Sequence, residues 1–255
     1  MSEEEGQVFE QPQEEQPKKK KKSHKGAIIT WSIIGGVALA LVGLVGGLML
    51  RNKINDYKSS GTYKLMDKTM VCKAAGYTIT GKQGKEITGE EEKAAVINAI
   101  TQSITDSQQK ARDEGETPSE NVTGTYNDFF TYNEDIVKFK DIKFTFGKVS
   151  MNSYKESTMT MQDKSGKVLG ETTIENYNKD LVSVHKFADT VKVGEIKPRG
   201  HFHIYTNYNE SGIPTMKFQY QAGVDYGYSG LQWNVKDGEY KGDYTIIYYA
   251  NFVIA

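Results

Sequence analysis

The alternation of apolar and polar residues divides the chain into unlike stretches. Gly26 to Leu50 (GAIITWSIIGGVALALVGLVGGLML) is twenty-five residues without one charge. As a helix it would be roughly 37 Å long, against about 30 Å of bilayer hydrocarbon, so the pattern predicts a single transmembrane helix. Ala38-Leu39-Ala40 also fits a signal-peptidase site. The run stays apolar to Leu50, however, which favours an uncleaved anchor. Arg51 to Gly61 is polar and reads as a juxtamembrane linker or as a helix extension that frays at Ser59-Ser60-Gly61.

Beyond residue 61 the pattern predicts one clear helix, over 88–113. Thr88 and Glu91 have capping-box spacing, acids crowd the first turn, and Lys110 and Arg112 lie in the last. Ile97, Ile100 and Ile104 mark a narrow apolar face, which suits packing at a sheet edge. Thr62–Leu65 alternates like an opening strand. From Thr125 onward β-favouring residues alternate with polar ones. Candidate strands are 125–132, 136–149, 150–162, 167–178, 181–193, 200–208, 214–222, 230–236 and 243–254. Asp163–Gly166 and Asp237-Gly238 are plausible hairpin turns. The final strand is apolar on both faces and is expected to be central or closing. The fold class predicted for 62–255 is a mainly antiparallel β-barrel or β-sandwich, α+β at its start.

Charge refines this layout. Residues 1–25 hold an acidic stretch and then six lysines at 18–22 and 25, with too few apolar residues to fold; a disordered tail is expected. The lysines outweigh the basic residues after the span, so the N-terminus is expected to be cytoplasmic and the C-terminal domain extracytoplasmic. The net charge of −1 gives no support for nucleic-acid binding. Within the span Gly36, Ala40, Gly43 and Gly47 share one helix face, and Gly43–Gly47 is a GxxxG pair. That face suits helix packing, by self-association or on a partner helix in the bilayer.

Candidate chemistry is sparse. All sixteen tyrosines lie beyond the apolar run, nine of them after residue 200. Tyr205, Tyr208, Tyr220, Tyr226, Tyr228 and Trp233 are the candidate binding residues, because tyrosine and tryptophan combine rigid contact area with a polar handle. Residues 221–230 (QAGVDYGYSG) resemble a binding loop. His201-Phe202-His203 puts two imidazoles on one strand face, a metal-ligand spacing that His185 or Glu210 would have to complete. No GxSxG, HExxH, P-loop or Rossmann motif is present. Cys72, the one cysteine, excludes an internal disulfide and has no neighbouring base to activate it. No catalytic residue and no cofactor are predicted.

Gly61-Thr62-Tyr63-Lys64-Leu65, a glycine-led segment with an aromatic third residue, is similar to the opening strand of lipocalin-like domains in bacterial surface proteins. A lysine-rich segment, one membrane helix and then such a domain resembles a layout among low-GC Gram-positive bacteria. The resemblance implies a barrel but carries over no ligand-binding residue. The expectation is a membrane-anchored, non-catalytic extracytoplasmic module that binds a small ligand or a cell-envelope partner. The alternative is a structural subunit of an envelope-spanning secretion or conjugation assembly, and a metal-dependent enzyme using His201 and His203 is a third reading.

Overall fold

The computed structural model describes residues 24–118, 125–185, 187, 190–206, 213–220 and 230–255; the side chains of 24–35, 38, 83 and 125 fall outside the description. The chain divides into two units, residues 1–51 and 52–255. The expected disordered tail lies outside the described residues, apart from the helical backbone of 24–25.

Helix α1 (His24–Ser59) carries the apolar run and continues unbroken through the polar segment after it, the helix-extension option. The described apolar side chains of that run, among them Leu39, Val42, Leu44 and Met49, are exposed. Among the described residues no helix is long and apolar enough to cross a membrane; the first part of the apolar run falls outside the described side chains.

Gly61–Leu65 is a short helix, α2, and not the opening strand. Ser60 caps it, its hydroxyl accepting from the Tyr63 amide at 3.3 Å. Tertiary bonds outweigh the local alternation: the Asn176 side chain accepts from the Thr62 amide at 3.0 Å and donates to the Tyr154 carbonyl at 2.7 Å. A side chain at Gly61 would run into Val182, so the turn lies directly against the barrel wall.

Ten strands follow among the described residues, with all their pairings antiparallel: β1 (Thr69–Thr80), β2 (Glu86–Ile87), β3 (Ile142–Phe146), β4 (Glu156–Asp163), β5 (Val168–Asn176), β6 (Leu181–Val184), β7 (His201–Tyr205), β8 (Thr215–Gln219), β9 (Leu231–Val235) and β10 (Gly242–Ile254). β3 to β8 form a meander, β10 follows β8, and β10 pairs back onto β1. Eight strands therefore close into a barrel, so the barrel option holds and the sandwich does not. The last strand closes the ring, in register from Met70↔Ile254 to Thr80↔Thr245 with one bulge at Lys73.

β1 and β10 outrun the barrel. Their overhang continues as a small sheet of order β2-β1-β10-β9, on which the helix α3 (Glu90–Asp113) packs Val96, Ile97, Ile100 and Ile104. The expected capping box at Thr88 is absent. Gly89 is the N-cap and makes no side-chain cap bond, leaving the first-turn acids to complement the helix dipole.

Residues 125–132, expected as a strand, form helix α4 (Thr125–Asp135), which runs into a 3-10 segment at Ile136–Asp141. Phe129, Tyr132 and Ile136 recur at helical spacing, and all three are buried. The expected strand 136–149 thus shrinks to Ile142–Phe146. Residues 150–155 are a turn preceding β4, and 181–193 contributes only Leu181–Val184 to a strand. The Asp163 turn forms as expected, its Oδ1 accepting from the Ser165 and Lys167 amides at 2.8 and 3.0 Å.

Alternate positions point inward, as the strand period requires. Met70, Phe144, Met159, Met161, Ile174, Val182, Ile204, Met216, Phe218 and Phe252 are each without exposed surface. Edge-to-face contacts at 5.4 Å (Phe144–Phe202) and 5.0 Å (Phe144–Phe252) help fill the interior. α4 lies where β7 begins and β8 ends, and α2 at the opposite end, beside the end of β5 and the start of β6.

Candidate functional site

The overhanging sheet offers the more structured concavity. Among the described strands β9 pairs with β10 alone, and α3 runs beside it. A groove of about 710 Å³ lies between them, with Ser103, Asp106 and Lys110 of α3 on one side and Gln232, Trp233 and Asn234 of β9 on the other. Leu231, Trp233 and Val235 share a strand face, as the alternation predicts. Trp233 stacks on Tyr126 (5.6 Å, 23°) and meets Phe129 edge-on at 5.0 Å. Its indole Nε1 is buried without a hydrogen-bond partner, an uncommon state for a buried donor.

Behind this groove, α4 brings a partly buried carboxylate to the barrel end. Asp128 Oδ2 accepts from Arg199 Nη1 at 2.6 Å and from the Tyr220 hydroxyl at 2.5 Å. The Tyr132 hydroxyl donates to the Lys197 carbonyl at 3.0 Å and accepts from the Arg199 amide at 3.2 Å. Tyr248 donates to the Phe129 carbonyl at 3.4 Å. Burial raises the Tyr220 pKa far above that of a free phenol, and the bonded Asp128 carboxylate raises it further. Burial likewise raises Tyr132 and Tyr248. All three remain phenols at neutral pH, so they serve as hydrogen-bonding posts holding α4 and Arg199. On β1, burial pushes the Cys72 thiol up to about 11. It is protonated at neutral pH and a poor nucleophile.

The residues singled out in the sequence occupy separate places. Tyr220 is buried against Asp128, and Trp233 floors the groove. Tyr205 is half-buried on the outer face of β7, its ring 6.3 Å from that of His203. Tyr208, Tyr226 and Tyr228, with most of the 221–230 loop, lie outside the described residues. His201 and His203 do share a strand face, with ring centroids 6.0 Å apart. Burial and the neighbouring His201 lower the His203 pKa. Among the described residues no group of three or more metal-ligating side chains comes together. His185 lies instead 3.9 Å from Glu175, and Glu210 is outside the described residues. Gly36, Ala40, Gly43 and Gly47 are exposed on α1, with nothing within 4 Å of a methyl placed on any of the three glycines.

Comparison of the chain with protein-family models, curated proteins and solved structures finds no match in any of the three. Site geometry therefore stands on its own. Sequence reasoning missed Asp128, Arg199 and Tyr126 because it read 125–132 as a strand. The helical spacing of Phe129, Tyr132 and Ile136 was the signal that could have found them.

Proposed function

We propose that the chain is a membrane-anchored, non-catalytic extracytoplasmic module that binds an envelope protein in the α3/β9 groove. The observation that carries this reading is the placement of Trp233, which lines an open groove walled by polar side chains while its indole nitrogen is buried without a partner. Aromatic residues with a polar handle are enriched where proteins meet. The filled barrel interior supports a protein partner over a small ligand held inside. A relation to lipocalin-like domains belongs to this proposal: a closed eight-stranded meander supports it, and the packed interior sets this barrel apart from ligand-holding ones. The anchor is the Gly26–Leu50 run of α1. An apolar helix with its described side chains exposed on all sides requires an apolar solvent or partners.

Two measurements test the proposal. Alkaline carbonate should leave the full chain in the membrane pellet; release into the supernatant removes the anchor. A photo-crosslinker at Ser103 or Asn234, on the groove, should give one discrete protein adduct in intact cells. The same group at Glu171, on the barrel wall, should give none, and W233A should abolish the adduct. Equal labelling from all three positions would overturn the groove assignment. The open small-residue face of α1 favours a second reading, self-association in the bilayer. A disulfide between G43C helices that forms no faster than one at L44C would remove it.

A further inference from the structure

The end of the barrel that holds α2 carries a second, chemically different pocket. The turn between β3 and β4, with Lys53 of α1 beside it, lines an open concavity of about 680 Å³. Lys53, Lys148 and Lys155 lie on its wall, together with the hydroxyl residues Ser153, Ser157 and Thr158. Glu156 is the one acid among the lining residues, so three positive charges face one negative. All three lysines are exposed, and among the described residues none of them forms an ion pair. Lys53 is fixed toward the turn by donating to Asn152 Oδ1 at 2.8 Å, and Tyr57 of the same helix donates to the Val149 carbonyl at 3.1 Å. Pocket geometry is thus set by α1 and the turn together. Two lysines of the turn and one of the helix line one concavity with a single carboxylate, Glu156, against them, a net positive balance that suits an anion with several acceptor oxygens.

Position along the chain says which anion. Lys53 follows Leu50, the last residue of the apolar run, by three residues, roughly 4.5 Å along a helix. Resting on the anchored reading above, a lysine there lies at the depth of lipid headgroups. We propose that the Lys53–Lys148–Lys155 pocket binds the phosphate ester of an anionic phospholipid headgroup at the foot of the α1 anchor. The other source of the same chemistry is free phosphate.

Native mass spectrometry of the full chain in neutral maltoside micelles separates the two. Short-chain phosphatidylglycerol should bind saturably, with one lipid per chain, whereas short-chain phosphatidylcholine should not saturate. Each lysine near a membrane surface contributes roughly five-fold in affinity, so K148Q/K155Q should weaken phosphatidylglycerol binding about 25-fold. The control K167Q/K241Q, which removes the same charge elsewhere, should leave binding unchanged. An equal loss in the control would reduce the effect to bulk charge and overturn the site, as would full binding by K148Q/K155Q. Millimolar inorganic phosphate that displaces the lipid completely would overturn the lipid assignment in favour of the free anion. Carbonate extraction is read on the same preparation of membranes. A chain that is released yet binds the lipid would sink the anchor alone, and one that is retained yet binds none would sink the pocket alone.

Discussion

Raising the pH should unfold the barrel through its buried tyrosines. Tyr132, Tyr220 and Tyr248 have 1%, 2% and 0% of their surface exposed, and each has its pKa raised above the ordinary value. A phenol whose folded pKa is raised adds stability that is fully present below the unfolded value of about 10. Above that value the unfolded chain sheds the proton and the folded one keeps it, so stability falls as pH rises toward the folded pKa. Each phenol then costs about 1.4 kcal/mol per pH unit, and the three together about 4 kcal/mol. Set against a domain stability of about 5–15 kcal/mol, that slope brings unfolding within one to a few pH units above 10. The assay is a titration of the full chain in neutral detergent, following tyrosinate absorbance and near-ultraviolet circular dichroism together. Exposed tyrosines should ionise first and reversibly, with no change in the dichroism. The cluster should ionise only as the dichroism collapses. Y220F should lower the slope of stability against pH by about a third. Ionisation of every tyrosine near pH 10 with the dichroism intact would refute the burial argument.

Two further outcomes follow from contacts at the same barrel end. D128A leaves the buried Tyr220 hydroxyl without its acceptor, at a cost of about 2–3 kcal/mol in urea unfolding. D128N keeps an acceptor, and half-exposed Arg199 regains water, so its cost should be about 1 kcal/mol; equal effects of the two would show that Tyr220 does not depend on Asp128. G200A puts a methyl against the Gln219 carbonyl and the Phe218 ring, where β7 begins beside β8, and backbone cannot yield as a side chain can. A loss of about 1–3 kcal/mol or more is expected, whereas G76A, whose methyl meets the Tyr249 hydroxyl at 3.6 Å, should leave the melting temperature unlowered.

The strands β4, β5 and β7 to β9 were legible because one face of each is buried and the other more open to water, so alternation of side chains records the fold directly; β10 was legible instead from its length and its apolar residues on both faces. Their turns were legible for a local reason, the Asp163 and Gly238 chemistry. α2 and α4 were not. Gly61–Leu65 alternates like a strand, but Asn176, more than a hundred residues away, supplies the bonds that make it a helix. α4 is rich in β-favouring Tyr, Phe and Thr, and its helical spacing is only three apolar positions long. The candidate sites were hidden for a similar reason. Trp233 was visible as a residue, but the groove beside it needs α3 and β9 brought together. The basic pocket needs Lys53 set beside a turn ninety-odd residues away, and nothing in the local pattern of either segment announces the other.

Closing the ring with the last strand sets an order of assembly. β1 is made well before β10, so the ten-residue ladder between them cannot form until residues 242–254 have been synthesised. Contacts so distant in sequence are slow to form. Until then β1 and β8 are both open edges, with the aggregation risk that such edges carry. Residues 252–254 pair with the beginning of β1, so substitutions there remove rungs from the ladder that shuts the barrel. A folding helper acting on this chain would therefore have to shield those two edges until β10 docks on β1.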